Sequence, residues 1–210
     1  FTKVLPKPLI PINDKTVIEH IIEKFTFYGA KNFFVTVNYK SRILKSFFQE
    51  LQPNYLVKFL DETIPLGTVG GLKVHKRKLK EPFFVTNCDI IVDIDYVDFY
   101  DFHKKNKNDL TLVASARNFE IPYGICELDA NGKLYKINEK PTQNFLANTG
   151  LYILNPKVLN LVPKNKFYHM TQLIHEAKKS GMNVGIYPID DNKWVDVGQW
   201  SEYRKNIKKL

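Results

Sequence analysis

The sequence predicts an α/β protein built on a mixed, mainly parallel sheet flanked by helices. Three observations carry this expectation. In the first half, short β-branched and aromatic runs alternate with segments of helical period, the pattern of βαβ units. Phe83 to Thr86 (FFVT) is almost wholly apolar, as a strand covered on both faces should be. In the second half Asn131-Gly132 lies between two strand-like runs, a strong hairpin signal, so part of the sheet turns antiparallel.

The elements follow in order. Lys15 to Tyr28 sets Val17, Ile18, Ile21, Ile22 and Phe25 on one helical stripe, and Gly29 ends it. Phe33 to Val37 reads as a strand, Arg42 to Leu51 as a helix and Tyr55 to Leu60 as a strand. Leu66-Gly67-Thr68-Val69-Gly70-Gly71 is a Gly-rich turn that opens the next helical stretch, and Phe83 to Thr86 follows. Leu110 to Ala116, Gly124 to Leu128, Lys133 to Ile137 and Leu146 to Leu154 are strands. Helices are expected around Pro156 to Leu161 and over Tyr168 to Ser180, then a strand at Val184 to Tyr187 and a closing helix from Gln199. No linker-like or low-complexity stretch divides the 210 residues, so residues 1–210 read as one domain.

Composition removes several classes. A hydrophobic share of 44% with 25% charged residues excludes a disordered chain. No apolar run is long enough to span a bilayer, so no membrane partner is expected. Two cysteines, Cys88 and Cys126, make no disulfide scaffold and suit a reducing cytoplasm. The net charge of +9, from 31 Lys+Arg against 22 Asp+Glu, invites a nucleic-acid reading. Only Arg42, Arg77, Arg117 and Arg204 are arginines, and no aromatic interleaves the densest basic run, Lys73 to Lys80. Bidentate reading of bases and stacking of single strands both need what is missing here. The excess therefore reads as solvated lysine, with no nucleic acid as partner.

The candidate chemistry is acidic and cationic, not nucleophilic. There is no Gly-x-Ser-x-Gly, and His20, His75, His103, His169 and His175 are scattered as ordinary histidines. Asn87-Cys88-Asp89 directly follows a strand, where ligands of open α/β sheets bind, and Asp196 in Trp194-Val195-Asp196-Val197-Gly198 closes another. Each Asp has a structural alternative as a turn or helix cap. Together they suit a hard cation in phosphoryl or nucleotidyl transfer. Asp93-Ile94-Asp95 is a second acidic candidate, of the Asp-x-Asp kind. Lys7 is bracketed by Pro6 and Pro8, and Lys140 sits in Glu139-Lys140-Pro141 after a strand. Gly124 after Tyr123, and Asn148-Thr149-Gly150 inside a strand pattern, mark places of close approach.

The order of these segments is more specific than any one of them. Pro6-Lys7-Pro8-Leu9, Leu66-Gly67-Thr68-x-Gly70, Asn87-Cys88-Asp89, Tyr123-Gly124, Glu139-Lys140-Pro141, Asn148-Thr149-Gly150 and Trp194-x-Asp196-x-Gly198 resemble, in sequence, the motifs of the sugar-1-phosphate nucleotidyltransferases. The resemblance is greatest to the bacterial mannose-1-phosphate guanylyltransferase-like branch, some of whose members carry upstream CBS domains. It implies the Rossmann-like nucleotide-diphospho-sugar transferase fold and the reaction of an NTP with a sugar 1-phosphate, giving an NDP-sugar and pyrophosphate for surface glycans. GTP is the NTP it suggests, and a homo-oligomer is left open.

By the same resemblance Asp89 and Asp196 would hold Mg²⁺, and Lys7 and Lys140 would neutralise phosphates. Leu66, Gly67, Thr68 and Gly70 would meet the base and ribose, with Asn87 and Thr149 beside the substrates. Glu139 and Asn148 would bond sugar hydroxyls, and Gly124 would lie against the sugar. Cys88 stands where the family usually has Gly. The family's phosphate loop, ending Gly-Thr-Arg, and the strand before it precede the Pro-Lys-Pro segment. Roughly 20 or more further residues upstream are thus expected, enough for one strand and loop. Two other functions remain open: a non-catalytic, regulatory sugar-nucleotide-binding homologue, and a glycosyltransferase using Asp93 and Asp95.

Overall fold

Helix α1 (Val17–Phe27) shows how local signals set an element. The Thr16 hydroxyl accepts the Glu19 N–H, and the Glu19 carboxylate accepts the Thr16 N–H at 2.7 Å, a reciprocal cap. Its stripe of Val17, Ile18, Ile21, Ile22 and Phe25 is buried as the periodicity requires. The structure, a computed structural model, describes residues 5–75 and 79–198. The closing helix expected from Gln199 and the centre of the basic run after Lys73 lie outside the described residues.

A short hairpin, β1 (Pro11–Ile12) and β2 (Lys15–Thr16), precedes α1. Strands β3 (Asn32–Val37) and β4 (Leu56–Asp61) pair in parallel across helix α2 (Ser41–Leu51). Then come α3 (Gly67–His75), β5 (Phe83–Thr86), β6 (Ile90–Val92), α4 (Tyr96–Lys105) and β7 (Leu110–Glu120). The β8 (Ile125–Leu128) and β9 (Leu134–Asn138) hairpin leads to β10 (Thr142–Leu154), a 3₁₀ segment at Pro156–Leu161, α5 (Met170–Lys179), β11 (Val184–Ile189) and β12 (Trp194–Asp196). No helix among the described residues is long and apolar enough to cross a membrane.

The central sheet has the order β11-β7-β10-β5. It is mixed, as the sequence implies: β11 runs parallel to β7, and β10 is antiparallel to both β7 and β5. Antiparallel pairing takes a larger share among the described strands than strand–helix alternation suggested. Alternation along the central strands builds two cores. Val113, Leu151 and Ile153 pack with α1 and α4, while Leu110, Leu112, Tyr152 and Leu154 pack with α5 and the 3₁₀ segment.

The edge of β3 away from β4 and the edge of β5 away from β10 pair with no strand among the described residues. A cavity of about 350 Å³ lies between them, lined by Phe33, Phe34 and Thr36 on one side and Phe83 to Thr86 on the other. This explains a departure from expectation: Phe83, Phe84, Val85 and Thr86 are all only partly buried. Their faces are covered, by Phe25 and Tyr96 against Phe84 for example, but their outer edge is open.

Candidate active site

Asp89 and Asp196 arrive from distant parts of the chain and meet because β6 pairs with β12. Asp196 lies opposite Ile90, and the Val197 N–H donates to the Asp89 carbonyl at 2.9 Å. Both carboxylates crowd Gly198: a Cβ there would lie 2.9 Å from Asp89 Oδ2 and 3.0 Å from Asp196 Oδ1. Lys7 heads a 3₁₀ turn, Lys7–Leu9, fixed by Pro6 and Pro8 and anchored by buried Leu9. Its ammonium donates to Asp89 Oδ2 at 3.1 Å. The pair is partly exposed and adds little stability. Its consequence is positional: a cation is held beside two carboxylates.

Asn87 and Asn148 stand next to this centre. Between Asn148 and Tyr152 the register of β10 against β7 slips, leaving Thr149 and Gly150 in a bulge. Gly150 has φ +96°, and a Cβ on it would meet Asn87 Nδ2 at 2.6 Å, so the glycine is needed on both counts. The Asn87 N–H donates to the Gly150 carbonyl at 3.0 Å. Asn148 donates to Tyr152 Oη at 2.9 Å and accepts from the Gly150 N–H at 3.1 Å. Thr149 is buried, and its hydroxyl donates to the Val113 carbonyl. The expected substrate contact of Thr149 is corrected to this extent: its side chain pins the bulge and does not face solvent.

A second group sits on the exposed hairpin side. Glu139 Oε2 lies 2.9 Å from where a Cβ on Gly124 would be, so the β9–β10 connection closes over Gly124. Lys140 follows in the left-handed region, φ +43°, a strained conformation for a lysine. Neither Glu139 nor Lys140 makes a side-chain hydrogen bond or ion pair with the Asp89 group among the described residues.

The Gly-rich turn is explained by what packs on it. Tyr168 N–H donates to the Leu66 carbonyl at 2.9 Å, Val69 N–H donates to the Tyr168 carbonyl at 3.2 Å, and Met170 N–H donates to Thr68 Oγ1 at 2.7 Å. A Cβ on Gly67 would lie 2.7 Å from the Tyr168 carbonyl oxygen, and one on Gly70 would lie 2.9 Å from that of Lys166. Leu66 is buried, and its N–H goes to Glu62 Oε2. The side chain of Leu66 therefore anchors the turn; a ligand would meet that residue only through its backbone. Gly67 and Thr68 line a cleft of about 580 Å³ together with Pro8, Asn87, Cys88, Asp89, Phe167 and His169.

The Asp93 and Asp95 carboxylates are otherwise engaged. Lys24 donates to Asp93 at 2.5 Å and holds its carboxyl below the usual range. Asp95 caps α4, accepting from Val97 N–H at 2.8 Å and Asp98 N–H at 3.0 Å. Cys88 is exposed as a residue, yet its thiol is pushed up to about 11, by desolvation first and by the Asp89 carboxylate second. Exposure is at odds with desolvation, but the Asp89 charge acts in the same direction without it. The thiol is thus neutral at physiological pH and is no nucleophile.

The family model for nucleotidyl transferase matches residues 1–210. The chain belongs to the nucleotidyl transferase family. It is 33% identical to the mannose-1-phosphate guanyltransferase of Yarrowia lipolytica over 96% of this chain and 57% of that protein. It is 31% identical to the one of Saccharomyces cerevisiae, over 96% of this chain and 58% of that protein. The chain thus spans a little over half the length of these relatives. Its fold is that of HddC from Yersinia pseudotuberculosis, with a TM-score of 0.75, 24% identity and coverage of 98% of this chain and 90% of that one. It also matches a putative glucose-1-phosphate thymidylyltransferase from Bacillus anthracis, with a TM-score of 0.74, 18% identity and coverage of 99% and 87%. The expected Rossmann-like fold is thereby borne out.

In this nucleotidyl transferase chain the carboxylate oxygens of Asp89 and Asp196 are the groups that could hold a hard cation. No group of three or more His, Cys, Asp or Glu placed to hold a metal ion occurs among the described residues. Two converging carboxylates supply oxygen ligands of the kind a hard cation takes, with Cys88 in the same cleft. Sequence reasoning missed Phe167 and His169 in the cleft. An aromatic residue between Lys166 and Tyr168 carries no motif, and nothing in the sequence sets His169 apart from the other four histidines.

Proposed function

We propose that the protein is a sugar-1-phosphate nucleotidyltransferase, joining an NTP to a sugar 1-phosphate for surface glycan synthesis in the cytoplasm. The observation that carries this is the convergence of Asp89 and Asp196 around Gly198 with Lys7 on Asp89. An oxygen of the sugar phosphate attacks the α-phosphorus of the NTP. The α-phosphorus–bridging oxygen bond breaks, and pyrophosphate leaves with the electron pair. The protein positions the reactants and offsets charge, with little covalent chemistry of its own. Mg²⁺ held by Asp89 and Asp196 would neutralise charge on the phosphate oxygens. Lys7 and Lys140 add fixed cations for the phosphates, and the strain at Lys140 is consistent with a residue held for a purpose. Glu139 accepts from sugar hydroxyls, Asn148 has a second amide N–H to offer, and Gly124 leaves room for the ring.

GTP and mannose 1-phosphate are the pair we favour, since the relatives at about one-third identity are mannose-1-phosphate guanyltransferases. Among the described residues, the open edges of β3 and β5 leave room for one more strand between them. Pyrophosphate release by the natural-length protein, measured across NTPs and sugar 1-phosphates, tests the reaction. Turnover with GTP and a hexose 1-phosphate is expected. No turnover with any pair, alongside tight nucleotide-sugar binding, would replace this reading with that of a non-catalytic homologue.

A further inference from the structure

Strands β7 and β10 outrun the sheet they build. β11 follows β7 only to Ser115, and β5 meets β10 only from Leu151 onward. Beyond those points, residues 116–120 pair with 142–146 and with no other strand among the described residues. The Ile121 N–H donates to the Pro141 carbonyl at 3.0 Å, and the β8–β9 hairpin carries the ribbon further. At its base Arg117 stacks on Trp194, 4.7 Å from the ring centroid, and pairs with Asp191 at 2.7 Å. Further out, Asn138 donates to Glu127 at 3.1 Å, a bond within the ribbon itself. Two strands alone are marginal in water unless one face is covered.

The hairpin has a face that asks for cover. Cys126 lies opposite Ile137 and Glu127 opposite Lys136, and a register shift sets Leu134 opposite Leu128. Alternation therefore gathers Cys126, Leu128, Leu134, Tyr135 and Ile137 on one side, with Glu127, Lys136 and Asn138 on the other. The four large side chains of the apolar side are between 58% and 73% exposed, and Cys126 is exposed too. Together they offer on the order of 500 Å² per copy, so a matched pair would bury about 1,000 Å², the scale of a specific interface. We propose that this face docks a second copy of the chain, ribbon face on ribbon face about a two-fold axis. Charge favours this occupant. The chain carries +9, yet residues 116–146 hold four cations and four anions, so two copies meet at a neutral patch and escape the repulsion of their remaining surfaces. A lipid surface would call for a cationic rim, and this one is balanced. The association is independent of the reaction proposed above.

Sedimentation of the natural-length protein over a range of concentrations tests this. The wild type should show a monomer–dimer equilibrium. Leu128→Glu and Tyr135→Glu should each raise its dissociation constant at least about 100-fold, because every substitution appears twice at an isologous interface. Val97→Glu makes the same kind of change at an apolar residue of α4 that is also exposed, and should keep the wild-type equilibrium. Hydrogen exchange of the wild type alone provides a readout that needs no variant. Amides of residues 125–137 should lose protection on dilution, while those of 110–115 in the central sheet should not change. A wild-type monomer at every concentration overturns the proposal, whether the face then stays bare, binds lipid vesicles or is covered by another part of the natural-length chain. So does a dimer that Leu128→Glu and Tyr135→Glu leave intact, or protection of 125–137 that is indifferent to dilution through the dimer's dissociation.

Discussion

A methyl group on Gly198 would sit 2.9 Å from Asp89 Oδ2 and 3.0 Å from Asp196 Oδ1, closer than side chains normally approach. The two carboxylates would have to part by a few tenths of an ångström. Gly198 lies at the surface, so the fold tolerates the change. Gly198→Ala is therefore expected to keep a wild-type melting temperature while lowering kcat by roughly tenfold, since displacements below 1 Å at reacting groups are costly. Steady-state kinetics beside a thermal melt checks this; unchanged kcat would mean that the spacing of the carboxylates does not matter. At this scale the sequence was informative where a residue closes a strand. Asp89 and Asp196 are legible because strand ends point polar side chains at one edge of the sheet. Thr149 and Leu66 were expected at the substrates from a motif, and burial decides otherwise for their side chains. The place of Phe167 in the cleft was invisible because it depends on Tyr168 pairing with Leu66, a contact between residues far apart in the chain.

Elements with clean periodicity were read nearly to their ends: α1, α2 and β3 agree within two residues of expectation. Strand pairing was less legible, because propensity says nothing about which edge finds which partner. One polar network joins α4, β7 and the 3₁₀ segment at the edge of the core. Buried His103 has Nδ1 at 2.8 Å from Thr111 Oγ1 and Nε2 at 3.3 Å from Asn155 Oδ1. Asn108 also donates to Thr111, Asn155 donates to Asp109, and Lys157 pairs with Asp109. Burial first of all lowers the His103 pKa below its usual 6.5. The neutral form is thus preferred in the folded state, and the unfolded chain binds a proton more readily. Stability from this site is complete above about pH 6.5 and is lost as the pH falls through the folded pKa. Melting temperature between pH 7.5 and 5 should fall, and His103→Gln should flatten that slope. A slope identical in the variant would remove His103 from the acid sensitivity.

For the molecule as a whole, the fold class and the family were both in the sequence, carried by the order of seven short segments and not by any one. The cavity between β3 and β5 was not legible, because an open edge is a property of the assembled sheet. Its meaning is structural before it is catalytic: the cleft that holds Asn87 and Asp89 continues along the same two edges. Those two edges therefore bound the floor of the site. The charge of +9 also becomes narrower in meaning. One of those cations, Lys7, is committed to Asp89 at the strand-end carboxylates and not to a basic surface patch.

The most direct measurement is the rate of pyrophosphate release by the natural-length protein during a Mg²⁺ titration, comparing Asp196→Asn with Asp95→Ala. Asp196→Asn should lose at least about 100-fold in kcat without recovery at high Mg²⁺, as expected when charge stabilisation at the phosphates is removed. Asp95→Ala should lose about 1 kcal/mol of stability, for the missing α4 cap, and keep its rate. Loss of activity in Asp95→Ala with near-normal turnover in Asp196→Asn would contradict the assignment and move the chemistry to the Asp93–Asp95 pair.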